Sequence, residues 1–354
     1  DSPVVQEFLV HILNSDPEIQ VIGTANNGEE AIETVNHKKP DVITMDINMP
    51  KMNGLDATRR IMETHPTPIV IVSGSWDTKE VETTFRAIEA GALACVQRPA
   101  GIGHPNHEAT VKELIQKELI QTVKLMSEVK VVRRWTHYRQ VEAAPAISTP
   151  AAVDIKQIPA EIRIVAIGAS TGGPLVLQTI LSGLPKDFSV PLLIVQHMAT
   201  GFVKGMVDWI GQSSGFPVHV ASAGEYILPG HAYVAPDGVH MGVETGNRIA
   251  LSNDDPEDGL RPSVSYLFRS VSKVYGKNAI GVLLTGMGKD GAEELKLIKE
   301  KGAVTIAQDK ESSVIYGMPK AAVELDATTY VISPERIAAV LASLTNKKIE
   351  RDKS

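Results

Sequence analysis

Cysteine is almost absent from this chain. One residue, Cys95, stands among 354, so there can be no intrachain disulfide framework, and the usage fits a reducing compartment. Aromatic residues make up only 5%, which leaves the cores to aliphatic side chains. Excess positive charge is missing as well. The formal net charge is −7 and the pI is near 5.8, which argues against a nucleic-acid binder working by bulk electrostatics. No apolar run approaches the roughly 18 residues of a membrane span, and no basic-then-apolar leader opens the sequence. These absences point to the cytoplasm, with no membrane insertion. The hydrophobic fraction of 43% and charged fraction of 22% exclude wholesale disorder and collagen-like repeats. At about 100–200 residues per domain, the length makes two domains the first expectation.

Charge divides the chain. Residues 1–108 carry a net −8, residues 109–160 a net +3 and residues 161–354 a net −2. The front alternates helical and strand patterns: a helix after Ser2-Pro3, strand Gln20–Ala25, helix Gly28–Lys38, strand Asp41–Asp46, helix Leu55–His65, strand Pro68–Gly74, helix Thr78–Ala90, strand Leu93–Val96 and a long helix Glu108–Val129. Strict alternation means a parallel, doubly wound sheet. The small-residue and proline-rich stretch Ala143–Ala152 has linker composition. Alternation then resumes, with strands expected at Ile162–Gly168, Pro191–Gln196, Ala232–Pro236, Ala279–Thr285 and Val304–Gln308. The expected architecture is α/β throughout: domains at 1–130 and 161–346, a linker at 131–160 and a charged tail at 347–354.

In open α/β sheets, ligands gather at the carboxyl ends of strands. In the front domain Asp46, Ser73 and Arg98 each end a strand, and Asp1 precedes the first helix at the same edge. Carboxylates bind Mg²⁺, a hydroxyl and a cation hold phosphoryl oxygens, and Asp46 can act as nucleophile. A lone aspartate here reads as a loop residue or cap; four placements on one edge suit phosphate chemistry. Asp-Ile-Asn-Met-Pro at 46–50, Val-Ser-Gly at 72–74 and the cation–proline pair at 98–99 resemble the response-regulator receiver domain. The resemblance implies a flavodoxin-like fold, Asp46 as phospho-acceptor, Mg²⁺ held by Asp1, Asp46 and the Asn48 carbonyl, Ser73 and Arg98 as the phosphate switch, and a histidine kinase as phosphodonor. Arg98 stands where the family has lysine, which keeps charge but changes geometry and hydration. A receiver also opens with a strand ending in an acidic pair. Asp1 is read as the second of that pair, and the chain as short by about one strand of 5–6 residues. As given, it is expected to take up phosphate poorly.

In the back domain, Gly168–Gly172 satisfies G-x-S-x-G, a tight strand-to-helix turn that exposes Ser170 above the sheet. A dinucleotide loop would need glycine where Ser170 stands, and a phosphate-binding Walker loop needs a lysine that is missing. A nucleophilic serine requires a base and an acid to orient it. His197 ends the apolar strand Pro191–Gln196 at the same edge and is the best base by topology; His231 belongs at the opposite edge and His240 follows a loop. His104 and His107, in a loop, are weak metal candidates. Asp290, in the glycine-rich loop after Ala279–Thr285, is the favoured acid over Asp309. Asp254, Asp255 and Asp258 read as turn residues.

Gly168–Gly173, Gln196-His197-Met198, Ala235-Pro236, Arg261-Pro262-Ser263-Val264, Leu284–Gly291 and Tyr316-Gly317-Met318-Pro319 resemble the catalytic domain of the chemotaxis protein-glutamate methylesterases. This implies a Rossmann-like serine-hydrolase domain with Ser170, His197 and Asp290 as a triad and Thr171 and Met287 lining the substrate and oxyanion site. It further implies hydrolysis of glutamate γ-methyl esters on chemoreceptors, often with glutamine deamidation, and an unphosphorylated receiver that covers the groove. The esterase chemistry itself calls for no cofactor. Leu260 and Ser265 depart from the family's usual His and Asp around Arg-Pro-Ser-Val. Two other readings remain: a non-catalytic output module in which Ser170 is only a turn residue, and a hydrolase of small esters.

Overall fold

The computed structural model describes residues 2–74, 78–99, 109–129, 131 and 161–345. Asp1, His104, His107, residues 132–160 of the expected linker and the 347–354 tail lie outside the described residues. The chain divides into two compact units, Asp1–Tyr138 and Arg139–Ser354.

The first unit runs α1 (Pro3–Leu13), α2 (Gly28–Lys38), β1 (Ile43–Met45), α3 (Gly54–Thr64), β2 (Ile69–Ser73), α4 (Thr78–Glu89), β3 (Ala94–Gln97) and α5 (Ala109–Ser127). Local chemistry sets the helix starts: Pro3 occupies the first turn of α1, and the Asn27 side chain accepts the Glu29 and Glu30 N–H groups at the head of α2. The strands form a parallel sheet in the order β1-β2-β3, with β2 buried along its whole length.

One expected strand does not form. Gln20–Ala25 is assigned to no strand. A strand exists only with a neighbour to share its backbone hydrogen bonds, and β1 pairs on one side alone, with β2. Between β1 and residues 20–25 lies a cavity of about 510 Å³, lined by Leu9, Ile22, Ile43, Met45 and Val123 and reaching Asp46 and Arg98. Side chains take the place of a ladder. Asn14 accepts the Val21 N–H at 2.9 Å, the Lys38 ammonium donates to the Ile22 carbonyl at 2.5 Å, and the Gln6 amide donates to the Ala25 carbonyl at 3.0 Å.

The second unit runs β4 (Ile164–Ala169), α6 (Gly173–Gly183), β5 (Leu192–Gln196), α7 (Val203–Ser214), β6 (Val218–Val220), β7 (Ala232–Val234), β8 (His240–Glu244), β9 (Arg248–Ser252), α8 (Val264–Tyr275), β10 (Ala279–Leu283), α9 (Ala292–Glu300), β11 (Val304–Gln308), α10 (Met318–Glu324), β12 (Tyr330–Ile332) and α11 (Pro334–Thr345). Seven strands form one parallel sheet, β12-β11-β10-β4-β5-β7-β6. The first strand, β4, lies in the middle, and the chain winds outward from it in both directions. Helices α6, α7 and α11 pack as one group, and α8, α9 and α10 as another, as two windings require. β4, β5, β10 and β11 are wholly buried, which their continuous apolar runs predict. The short strands β6 and β12 and the antiparallel hairpin β8–β9 are additions to the expected set. Among the described residues, no helix is long and apolar enough to cross a membrane.

Candidate active site

The sheet register brings the site together. Ala169, the last residue of β4, aligns with Gln196, the last of β5, and the His197 N–H donates to the Ala169 carbonyl at 2.9 Å. On the other side Gly168 aligns with Leu283 of β10, and the Ser170 N–H donates to the Thr285 carbonyl at 3.0 Å. Ser170, His197 and the loop that carries Asp290 therefore leave three adjacent strands at one edge, where the winding reverses. That is where open α/β sheets hold ligands.

The turn around Ser170 is tightly closed. The Gly173 N–H returns to the Ser170 carbonyl at 2.8 Å and opens α6, placing the positive end of that helix beside the hydroxyl. Glycine is required at 286 because a Cβ there would stand 2.6 Å from Ser170 Cβ and 2.4 Å from Met318 Sδ. Beneath the site the buried Gln196 amide donates to both the Ser170 and His197 carbonyls, each at 2.8 Å, and ties the two strand ends together.

His197 Nε2 lies 2.9 Å from Asp290 Oδ2, with the side chains 11% and 8% exposed. The geometry is not that of an aligned hydrogen bond; the contact turns Nε2 toward the carboxylate and leaves Nδ1 on the far side of the ring. Asp290 does not cap its own helix α9. It reaches across to the start of α8, where Oδ2 accepts the Val264 N–H at 2.7 Å and Oδ1 accepts the Ser265 N–H and the Ser263 hydroxyl, each at 3.0 Å. Burial pushes the Asp290 carboxyl up, but His197 and the Ser265 donors outweigh it and hold the group well below the usual carboxylate range. The acid is thus fixed as a carboxylate.

The other candidates have different partners. His240 is fully buried behind Ser263: its Nδ1 accepts the Ser263 N–H at 3.2 Å while Nε2 faces the Asp255 carbonyl at 3.1 Å. That environment selects the neutral tautomer with the proton on Nε2 and gives the ring a structural role. His231 sits at the opposite edge, its carbonyl accepting the Leu192 N–H and its ring 2.7 Å from His219. Asp309 caps its own turn through Ser312, at 3.0 and 2.6 Å. Thr171 follows the nucleophile turn, its carbonyl held by the Thr285 hydroxyl at 2.9 Å, and Met287 is 45% exposed beside the Asp290 loop. The residues that sequence reasoning missed are Gln196 as a brace and Ser263–Ser265 as the seat of Asp290. The only local signal was Ser263 as a helix cap, which it is, accepting the Tyr266 N–H at 3.3 Å.

In the first unit Asp46 follows β1 and keeps a side chain 22% exposed, with Arg98 Nη1 4.0 Å from Oδ2. The Asn48 N–H approaches Oδ1 at 3.3 Å. Ser73 ends β2, buried, and its carbonyl accepts the Arg98 N–H at 2.8 Å. Among the described residues no group of three or more metal-ligating side chains occurs. The donors present, the Asp46 carboxylate and the Asn48 carbonyl, are hard oxygens of the kind Mg²⁺ takes.

The arrangement is a receiver-like unit followed by a doubly wound unit whose strand ends bring Ser170, His197 and Asp290 to one edge of the sheet. Two family profiles cover these parts: the response regulator receiver domain matches residues 1–110, and CheB methylesterase matches residues 165–341. A protein-glutamate methylesterase/protein-glutamine glutaminase of Nitrosospira multiformis is 59% identical over 99% of this chain and 96% of its own length. A second protein of that name, from Geobacter metallireducens, is 57% identical over 98% of each. The crystal structure of the Thermotoga maritima CheB methylesterase catalytic domain aligns with a TM-score of 0.50 at 37% identity, covering 52% of this chain and 99% of that one. The chain belongs to the CheB methylesterase family, with a receiver domain ahead of the catalytic domain.

Proposed function

We propose that this protein is a phosphorylation-regulated protein-glutamate methylesterase and glutaminase acting on methyl-accepting chemoreceptors in the cytoplasm. The observation that carries the reading is the buried His197–Asp290 pair at 2.9 Å, next in register to the Ser170 turn. Ser170 Oγ attacks the γ-carbonyl carbon of a glutamate methyl ester, and His197 Nδ1 takes the hydroxyl proton. Asp290 holds the imidazole in the productive tautomer and stabilises the imidazolium. Collapse of the tetrahedral intermediate breaks the ester C–O bond, and His197 returns the proton to the departing methanol. Water, deprotonated by His197, then releases glutamate from the acyl-enzyme. A glutamine side chain follows the same path with ammonia leaving. The Thr171 N–H, directly after the nucleophile, is the donor such turns supply to the oxyanion, and Met287 lines the substrate side.

Asp46 is the phospho-acceptor, and a chemotaxis histidine kinase is the donor. Bound Mg²⁺ supplies charge neutralisation for the phosphoryl oxygens. Asp46 and the Asn48 carbonyl would hold it with Asp1, while Ser73 and Arg98 complete the phosphate switch. The domains are assigned as 1–130, 161–346 and the segment between them. The test is methanol release from methylated receptor membranes with and without a phosphodonor. Ser170→Ala is expected to abolish release; retention of wild-type turnover by that variant would overturn the reading.

A further inference from the structure

The seat of Asp290 at the start of α8 is itself held in a ring of polar contacts, in which the one Ser263 proton serves either Asp290 or Glu257. The Ser263 hydroxyl stands 3.0 Å from Asp290 Oδ1 and 3.2 Å from Glu257 Oε2. Glu257 Oε1 pairs with Arg269 Nη2, and Arg269 Nη1 pairs with Glu294 Oε1 at 2.9 Å. Glu294 Oε2 accepts the Ser265 hydroxyl at 2.6 Å. The Ser265 oxygen in turn accepts the Gly291 N–H at 2.9 Å, and the Ser265 N–H donates back to Asp290 Oδ1. Six side chains thus join three segments of chain: the loop before α8, the first turns of α8, and the start of α9.

Arg269 is the member that closes the ring. It stands four residues after Ser265, on the same face of α8. A guanidinium has two edges and can take a carboxylate on each, where a lysine offers a single point charge. Between them Glu257 and Glu294 hold Ser263 and Ser265, the two residues whose donors share Asp290 Oδ1. Without Arg269, two carboxylates would remain beside Asp290 with no cation between them. The tie that Arg269 makes between the loop before α8 and the start of α9, through Glu257 and Glu294, would be lost. Serine at 265 is what lets the ring close, since its hydroxyl both donates to Glu294 and accepts from Gly291.

We infer that Arg269, through Glu257, Glu294 and Ser265, is a positioning residue for the acid of the triad, setting turnover rather than substrate affinity. The inference rests on the esterase reading above. The ring neither includes Ser170 nor supplies a proton; it fixes where Asp290 points His197. Misplacement of a catalytic group by about 1 Å costs on the order of a hundredfold, and loosening a supporting contact costs part of that.

The test uses the full chain and methylated receptor membranes, with kcat and KM for methanol release and thermal unfolding recorded for each variant. Arg269→Met is expected to lower kcat about tenfold with KM within about twofold of wild type. Arg269→Lys should recover part of the loss, because it restores the charge and only one of the two contacts. Ser265→Ala, a milder change, should lower kcat in the same way while the protein stays folded. The Arg269→Met/Glu294→Gln double variant should be no slower than Arg269→Met, because one ring is broken in both. A rise in KM at unchanged kcat, additive losses in the double variant, or a drop in unfolding temperature with kcat per folded molecule unchanged would each overturn the inference. Wild-type turnover in Ser170→Ala, measured alongside, would remove the esterase reading and the inference with it, a result distinct from those three.

Discussion

Gln196 offers a way to separate catalytic alignment from stability. It is 3% exposed. Its amide nitrogen donates to the Ser170 and His197 carbonyls at 2.8 Å each, while its Oε1 has no hydrogen-bond partner among the described residues. That oxygen lies where the Cβ of any larger residue at 173 would be, at 2.1 Å, so Gly173 and Gln196 fit only as a pair. Gln196→Met keeps the length and volume of the side chain. It removes two neutral hydrogen bonds, worth about 0.5–1.5 kcal/mol each, and also removes a buried unpaired acceptor whose desolvation costs about 1–3 kcal/mol. The gain offsets the lost bonds, but the His197 carbonyl is left without its donor, so unfolding free energy should fall by about 1–3 kcal/mol. Catalysis has no such compensation. The brace between nucleophile and base is gone, and kcat should fall about tenfold to a hundredfold. Urea unfolding and initial rates of methanol release on the same preparation decide the matter. Full kcat per folded molecule, or a loss of activity no larger than the loss of folded protein, would refute the reasoning.

Asp290 predicts an acid limb of stability. Its carboxyl is held below the usual range, so its contribution is fully present above about pH 4 and is lost as pH falls from there toward the folded-state value. Asp290→Asn should flatten the stability profile in that window, measured by urea unfolding at stepped pH, and should lower kcat by about 10⁴ if the triad works as such triads do. Any activation by acetyl phosphate should vanish in Asp46→Asn and on chelation of Mg²⁺, read as the ratio of methanol release with and without the donor. Deleting residues 1–150 should raise basal esterase activity. A folded 151–354 fragment with unchanged or lower activity counts against inhibition by the receiver.

Much of this architecture is legible in the chain because buried parallel strands declare themselves. Ile164–Ala169, Leu192–Val195 and Ala279–Leu283 are unbroken apolar runs, each leading at once into a chemically distinctive residue or a glycine-rich loop. A strand end fixes where the next side chain emerges, so Ser170 and His197 could be placed from one dimension alone. What stayed hidden is whatever depends on a partner distant in sequence. Gln20–Ala25 has strand composition, yet a strand is a relation between two segments, and β1 is paired with β2 alone. His240, which the sequence shows only as following a loop, has its two ring nitrogens occupied by backbone groups. Asp290 is picked out in the sequence as the favoured acid, but its partners are not legible there, since the commonest fate of an aspartate before a helix is to cap that helix. Instead it caps the start of α8, some 25 residues back, accepting the Val264 and Ser265 N–H groups. A carboxylate serving its own helix would point along α9. Pointed at α8, it brings Oδ2 within 2.9 Å of His197 Nε2 at the end of β5. The departure at Ser265 is part of the same geometry: the backbone N–H at that position seats Asp290, leaving the side chain to link α8 to α9. Ser170 and His197 are therefore placed by strand ends, which sequence displays. The partners of Asp290 are set by helix packing, which only the fold can supply.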